Sequence, residues 1–556
     1  MDLHRQLQTI SLAVLLLSLS ATNAVAESNK TPGGVKDVPL GSLSPRGTRR
    51  VIYNSDPSNT TCHLSEPAAQ PEELRQIVRN YAKEGAIDTL VQEVWHQGWS
   101  EFWRTEKCPY DARYQHQRLV PMMDAGVMPV EVYIDECHKQ KMEFIAGFRM
   151  NDRHGYNPDL FEKISKEHPE WILTDFPPSS GDPDPKSFKY GCALDYSVAG
   201  VRDWLFSIMQ EVANRFDIDG IEFNFTRLPE CFPKAKAEQC HAIMTGFVRR
   251  VRAMLDETGE KKGRQLLLGV RVLQHLEGCK KMGFDVPTWI KERLIDYIVP
   301  GDVGFTEFNA KYEEFVRIAR AFDCYVYPQV QAGLGRSQRD PYQSPDQYRA
   351  TLQNLYGAGA DGFSTQNYFF HWGPKFRFPG ESGLRFPKMY PKALNTLKVL
   401  RDPNTVAAGN RHYVFYTLWG PKGGPGGIYK QEQIVLNRQN IGERDEFRFR
   451  MCENLPANSR IVGEEVVSGA MLLCWPSIVS GDEVVIDING KTIPAENIRY
   501  EWHHEKDRTP LCRFALSSPP AVYGDNYLGM KLVRSAPSGK DDIVLHEVEV
   551  IVKLVE

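Results

Sequence analysis

From Arg50 onward, eight short strand-like segments alternate with amphipathic stretches of helical periodicity, and this alternation constrains the fold more than any other feature. The predicted strands are residues 51–54, 89–94, 143–149, 220–225, 266–272, 297–300, 325–329 and 362–366. Strands that alternate with helices form parallel sheets with crossover helices. Eight such units fit a closed barrel better than an open doubly wound sheet. We therefore predict an α/β chain whose main domain is a (β/α)8 TIM barrel.

The N-terminus resembles an export signal. His4 and Arg5 precede an apolar run, residues 10–19, and a small-x-small site, Ala24-Val25-Ala26. This order predicts a signal peptide over residues 1–26 that is cleaved from a secreted or periplasmic protein. The apolar run is shorter than the roughly 20 residues that a membrane span needs, so we predict no membrane span.

The remaining composition predicts three further segments. Residues 27–48 are rich in Gly, Pro and Ser and are typical of a flexible leader. Residues 49–403 contain the predicted barrel. Residues 404–556 carry short alternating strands, with an Asn489-Gly490 turn signal, and predict a C-terminal all-β sandwich domain. Such a domain either binds sugar or supports the barrel, and the sequence leaves both roles open.

Bulk composition excludes several kinds of function. The net charge of −4 and the absence of a long basic run argue against a nucleic-acid partner. The glycine pattern of residues 357–362 precedes a strand, whereas a dinucleotide site needs it between a strand and a helix, so no cofactor is predicted. No Cys or His cluster has zinc spacing, and we predict no metal. The chain has 11 cysteines; Cys231 and Cys240 either form a disulfide or stay reduced.

The fourth predicted strand carries the strongest functional signal. Ile221 and Phe223 alternate with Glu222 and Asn224, and Arg227 follows. Side chains alternate across a strand, so the polar set points into the barrel or its mouth. Residues at the C-terminal ends of barrel strands are usually catalytic or ligand-binding. We expect Glu222 to project toward solvent at the open rim.

This strand resembles a known family. An Asp219-Gly220-Ile221 strand entry, the polar pair Glu222 and Asn224, and Arg227-Leu228-Pro229 are similar to the secreted TIM-barrel proteins called glycosyl hydrolase-like family 10. The resemblance covers residues 50–403. It implies a TIM barrel that acts on carbohydrate.

Glycosidic hydrolysis normally uses two carboxyl groups that flank the scissile bond. On strand four Glu222 is the first candidate, and its alternative role is an ion pair with an arginine. Asp302, just after strand six, is the second candidate, and its alternative role is loop capping. We predict Glu222 as general acid/base and Asp302 as the second carboxylate. Glu93 on strand two and Asp152 after strand three are further carboxyl candidates, and the alternative role of Asp152 is loop capping.

The remaining candidates would bind the substrate. Arginines and amides at the strand ends suit sugar hydroxyls or a uronate, and aromatic rings stack on sugar faces. These residues are Arg149, Asn151, Asn224, Arg227, Arg271, Gln329, Trp95 and Trp372. The aromatic set around Trp95 can instead be buried in a helix stripe.

The sequence thus predicts a secreted glycoside hydrolase that cleaves a poly- or oligosaccharide. A phosphosugar ligand at the glycine-containing loop of residues 333–337 is a minor alternative. The main rival is a sugar-binding protein that has lost catalysis, which Asn224 and the amides on the later strands favour.

Overall fold

A computed structural model describes residues 51–61, 63–64, 68–96, 99–111, 113–152, 164, 166–173, 175, 193–302, 306–331, 343–366, 368, 390–416, 434–463, 465–503 and 511–554. The predicted signal peptide and leader, the loop of residues 333–337 and Trp372 lie outside these residues.

Eight parallel strands form the barrel, and every predicted strand is present. A ninth short strand of the same sheet, Trp99–Ser100, pairs antiparallel with the second barrel strand. They are Val51–Ser55 (β1), Thr89–His96 (β2), Glu143–Arg149 (β3), Gly220–Asn224 (β4), Leu267–Val272 (β5), Tyr297–Pro300 (β6), Tyr325–Val326 (β7) and Phe363–Gln366 (β8). Each strand pairs with the next from β1 to β7, and β8 pairs with β1. A parallel bridge between Gln329 and Ser364 joins the end of β7 to β8. The barrel prediction is confirmed.

One main helix follows each strand. The helices are Pro71–Gly85 (α1), Pro129–Lys139 (α2), Ala199–Arg215 (α3), His241–Lys262 (α4), Val286–Lys291 (α5), Tyr312–Arg320 (α6), Pro345–Gly357 (α7) and Asn395–Leu400 (α8). Their apolar faces pack against the outer faces of the strands in one large core. Among the described residues no helix has the length and apolar character needed to cross a membrane.

The inside of the barrel is apolar at one end and polar at the other. A separate cluster of buried side chains comprises Ile52, Val91, Ile145, Leu267, Tyr297, Val299 and Tyr327. Polar residues follow along the same inner faces, such as Asn54 after Ile52 and Glu93 after Val91. The apolar cluster therefore forms a floor beneath a polar chamber that faces the C-terminal ends of the strands.

Beyond α8 the chain forms two antiparallel sheets. A seven-stranded sheet contains Arg411–Tyr416 (β9), Val435–Leu436 (β10), Arg460–Val462 (β12), Glu465–Pro476 (β13), Ile498–His503 (β16), Leu511–Ser517 (β17) and Ile543–Lys553 (β19). A four-stranded sheet contains Arg444–Met451 (β11), Glu483–Ile488 (β14), Lys491–Thr492 (β15) and Gly524–Arg534 (β18). Side chains of both sheets share one buried core, for example Val550 of β19 and Met530 of β18.

Two asparagine side chains bind the barrel to these sheets. Asn354 on α7 donates from Nδ2 to the Arg450 carbonyl at 2.7 Å and accepts from the Cys452 N–H at 2.9 Å. Asn309, before α6, donates to the Arg448 carbonyl at 2.5 Å and accepts from the Arg450 N–H at 3.1 Å. Each amide thus satisfies one donor and one acceptor across the interface.

Candidate functional site

Glu222 on β4 lies at the centre of the polar chamber. Its Oε1 accepts hydrogen bonds from Asn54 Nδ2 at 3.2 Å and from Arg271 Nε at 3.1 Å. Its Oε2 accepts a hydrogen bond from the Tyr297 hydroxyl at 3.0 Å. Gly269 makes room for this hydroxyl, because a Cβ there would lie 2.0 Å from the Tyr297 ring. The carboxylate is therefore held by three donors from three other strands.

The prediction that the Glu222 side chain points into the barrel is correct, and the prediction that this side chain reaches solvent at the rim is wrong. The side chain faces the inside of the barrel, as the alternation of β4 required. It has no exposed surface, however, and neither has its partner Arg271. The carboxylate can be buried because the guanidinium of Arg271, on the neighbouring strand, supplies the charged partner that it needs.

A second network surrounds Glu93 on β2. Its Oε1 accepts from Asn224 Nδ2 at 2.8 Å and from Gln366 Nε2 at 3.1 Å. Its Oε2 accepts from Arg149 Nε at 2.6 Å. Asn224 and Arg149 lie at the last residues of β4 and β3, so this network is closer to the C-terminal ends of the strands than Glu222 is.

Arg149 joins three carboxylates at this end of the barrel. Besides Glu93, it donates from Nη1 to Asp152 Oδ2 at 2.7 Å and from Nη2 to Asp56 Oδ2. Burial by itself lowers the pKa of Arg149, but the charges of Glu93, Asp56 and Asp152 raise this pKa well above its ordinary value. The guanidinium therefore stays charged, although only 3% of the Arg149 side chain is exposed.

The remaining rim residues are only slightly exposed. Arg227 Nε lies 3.6 Å from Asp152 Oδ2, and 18% of the Arg227 side chain is exposed. Asp302 follows β6, and its backbone carbonyl accepts from Gln329 Nε2 and, at 3.3 Å, from Gln331 Nε2. The structure thus brings Arg149, Asp152 and Arg227 together, and places Asp302 beside the amides that follow β7.

Several predicted substrate-binding residues hold other parts of the protein. Asn151 donates to the carbonyls of Leu194 and Glu230, and accepts from the Leu194 N–H at 2.9 Å. Gln329 accepts from Arg271 Nη1 while donating to the Asp302 carbonyl. These amides make most of their hydrogen bonds inside the protein, which gives them a structural role that the sequence did not separate from ligand binding.

The prediction that Trp95 stacks on a sugar is wrong, because its ring packs in the core outside the barrel and not inside the lumen. Trp95 is completely buried and packs against Phe148 and Trp204, with ring centroids 6.1 and 6.0 Å away. It belongs to the outer face of β2, because Glu93 takes the inner face and a bulge separates the two residues. Trp99 and Trp103 are buried as well, in a short strand and a loop instead of the helix considered above.

A compact ionic cluster lies on the segment after β2. His116 Nδ1 is 2.9 Å from Glu101 Oε2, and His116 Nε2 is 3.5 Å from Asp111 Oδ2. These three residues are close enough together to hold a metal ion. Arg113 already contacts both carboxylates, however, so the cluster has a cation of its own. Burial by itself lowers the pKa of Arg113, but the charges of Glu101 and Asp111, and after them the charge of Asp56, raise it above its ordinary value. The cluster is therefore close enough to Asp56 to interact with the barrel mouth.

The disulfide alternative for Cys231 and Cys240 is not observed. Both are buried free thiols. The Sγ atom of Cys231 instead accepts a hydrogen bond from Asn151 Nδ2, at 3.7 Å.

Two residues of the site were missed at the sequence level. Asp56 directly follows β1, so the rule that placed Asp302 after β6 also applies to it. Asn54 is the inward residue of β1 that binds Glu222, and the alternation of that strand contained the signal.

Comparisons with known proteins identify the family that part of this chain resembles. The model of the family described as Glycosyl hydrolase-like 10 matches residues 58–240. The glycosyl hydrolase DigH of Escherichia coli strain K12 is 24% identical over 251 residues, which cover 40% of this chain and 52% of the relative. The Shigella flexneri protein of the same name gives the same figures. The match thus spans about half the length of these curated relatives.

Solved structures give weaker similarities. An α-L-fucosidase isoenzyme 2 from Paenibacillus thiaminolyticus is 13% identical with a TM-score of 0.39, covering 66% of this chain and 51% of that one. A maltogenic α-amylase from Thermotoga neapolitana is 12% identical with a TM-score of 0.35, covering 72% of this chain and 88% of that one. At these scores neither adds to the description of the barrel. The family resemblance is confirmed by the direct match: residues 58–240 of this chain carry the glycosyl hydrolase-like 10 pattern.

Proposed function

We propose that this protein binds a poly- or oligosaccharide at the C-terminal end of its barrel and hydrolyses the glycosidic bonds. The observation that carries this proposal is Arg149, whose guanidinium contacts the carboxylates of Asp56, Glu93 and Asp152. Glycoside hydrolysis needs two carboxyl groups close together, and TIM-barrel enzymes place them at this end of the barrel. The family match over residues 58–240 supports the same chemistry.

The carboxyl groups nearest the rim are the candidates for catalysis. Asp152 touches two arginines, so it suits the role of an ionised base or nucleophile. Asp302 lies after β6 and remains the candidate for the second carboxyl group. We assign Glu222 a positioning role, because its three hydrogen bonds occupy both oxygens deep in the barrel.

A second candidate function is sugar binding without cleavage. Asn224 occupies an inward position at the end of β4, where a carboxylate would be able to act, and it is committed to Glu93. An amide cannot serve as a carboxylate nucleophile, so this residue favours the binding function.

The test is hydrolysis of a panel of defined oligosaccharides with neutral hexose, N-acetylhexosamine and uronate backbones. We expect the wild type to cleave one class, and Asp152→Asn and Asp302→Asn to lose about 10²–10⁴-fold in kcat with little change in KM. The control is Asp203→Asn, because this exposed carboxylate on α3 pairs with Arg250 on α4. Binding of a class without release of reducing ends establishes the second function. Wild-type turnover in both variants removes these residues from the mechanism.

Two further proposals concern the rest of the chain. We propose export, on the basis of the signal-like residues 1–26. We also propose that the two C-terminal sheets pack as a sandwich, which the buried core they share supports.

A further inference from the structure

Gln274 is a fully buried amide that makes no hydrogen bond through its side chain within the part of the chain that the structure describes. Both Nε2 and Oε1 are enclosed, and neither has a partner among the described residues. Other buried glutamines near the barrel mouth are bonded. Gln343, for example, donates to Thr306 Oγ1 at 2.8 Å and to the Gln331 carbonyl at 2.6 Å, and accepts from Thr351 Oγ1 at 3.1 Å.

The position of Gln274 in the barrel is at the rim. β5 ends at Val272, two residues earlier. At that level the Phe225 N–H donates to the Arg271 carbonyl, and the Gly301 N–H donates to the Val272 carbonyl, both at 2.9 Å. Gln274 therefore lies on the strand end between the segments that carry Arg227 and Asp302. No motif in the sequence singled it out.

A buried amide without partners is unfavourable, since it has given up its hydrogen bonds to water and gained none. Such groups in native proteins are expected to be satisfied by a ligand or an ordered water. We propose that Gln274 is a specificity-determining residue that hydrogen-bonds a sugar hydroxyl when the glycan is bound. This inference rests on the proposed function and names one of the contacts that select the substrate.

The chemistry of two other amides inside the barrel also fits hydroxyl recognition. Asn54 and Gln366 are register partners on β1 and β8. Their nitrogens donate to Glu222 and Glu93, which fixes the amide orientation. Asn54 Oδ1 and Gln366 Oε1 are buried acceptors with no donor among the described residues. These two oxygens can only accept hydrogen bonds, whereas the Gln274 side chain can both donate and accept. A sugar hydroxyl can donate to an oxygen and accept from a nitrogen, so it suits both cases.

The experiment compares Gln274→Met with Gln343→Met in the full chain. Thermal unfolding without ligand measures the structural role of each amide. Binding is measured by calorimetry with the tightest-binding oligosaccharide from a panel of neutral hexose, N-acetylhexosamine and uronate tetra- to hexasaccharides. We expect Gln274→Met to unfold at the same or a higher temperature than the wild type and to bind about tenfold more weakly. Gln343→Met should unfold at a lower temperature.

Each other outcome overturns the inference in a recognisable way. A loss of stability in Gln274→Met as large as that in Gln343→Met makes the amide structural. A stable Gln274→Met that binds like the wild type shows that the ligand does not reach this residue, and leaves the proposed function intact. A wild type that binds no member of the panel overturns the proposed function itself, and the sugar contact with it.

Discussion

Arg271 Nε donates a hydrogen bond of 3.1 Å to Glu222 Oε1 in the middle of the barrel, where neither side chain has any exposed surface. Removing one member of a buried ion pair leaves the other charge uncompensated and costs several kcal/mol. We therefore expect Glu222→Gln to lower the free energy of unfolding by about 3 kcal/mol, measured by urea denaturation.

The control for this pair is Glu257→Gln, which breaks an exposed ion pair with Lys261 on α4 and should change stability little. If Glu222→Gln keeps wild-type stability but loses glycan cleavage, Glu222 is a catalytic group after all and the positioning role is wrong.

Gly269 on β5 is required by the ring of Tyr297. A Cβ at residue 269 would lie 2.0 Å from Cζ of that ring, which is too close for any rotation to relieve within a packed barrel. Gly269→Ala should destabilise the protein by about 2–3 kcal/mol. By contrast, Gly246→Ala on α4 meets no atom within 4 Å and should stabilise the helix by up to about 1 kcal/mol. Equal effects of the two substitutions would contradict this account.

The C-terminal sheets are expected to support the barrel. Asn354→Ala removes both hydrogen bonds to the Arg450 carbonyl and the Cys452 N–H, and leaves these groups without their partner at a buried interface. It should cost about 2 kcal/mol. Asn404→Ala, on an exposed helix turn, should cost little.

Truncation after Pro403 should yield insoluble protein; a soluble barrel with a cooperative thermal transition would show that the sheets have another role.

The imidazole of His275 should make stability depend on pH. Burial, followed by the charges of Arg448 and Lys311, lowers the pKa of His275 to about 4 from an ordinary 6.5. As pH falls from 6.5 to 4, the unfolded chain therefore binds a proton that the folded protein does not, and stability is lost. The shift corresponds to about 3 kcal/mol. Between pH 7 and pH 4, the free energy of unfolding should fall by about 3 kcal/mol less in His275→Gln than in the wild type. Urea denaturation at each pH measures this difference. If the unfolding free energies of the two proteins fall in parallel as the pH is lowered, His275 is not the group responsible.

The periodic part of the structure was predictable from sequence, and the pairing of side chains was not. The β4 pattern placed Glu222 and Asn224 inside the barrel because alternation is a local property of a strand. Whether Glu222 meets solvent or Arg271 depends on the neighbouring strand, which the pattern of β4 does not contain. Trp95 shows the same limit, since a bulge in β2 moved it to the outer face. Gln274 carries no local signal, because its distinguishing property is that no described residue bonds to its side chain in three dimensions.

The apolar floor of the barrel determines how a long chain can approach the protein. Ile52, Val91, Ile145 and their neighbours fill the end of the lumen beneath the polar residues, so the barrel is closed on that side. A polymer cannot thread through such a barrel; it has to lie across the C-terminal ends of the strands or insert one end there. The segments above the strand ends would then decide between cutting within a chain and trimming its terminus.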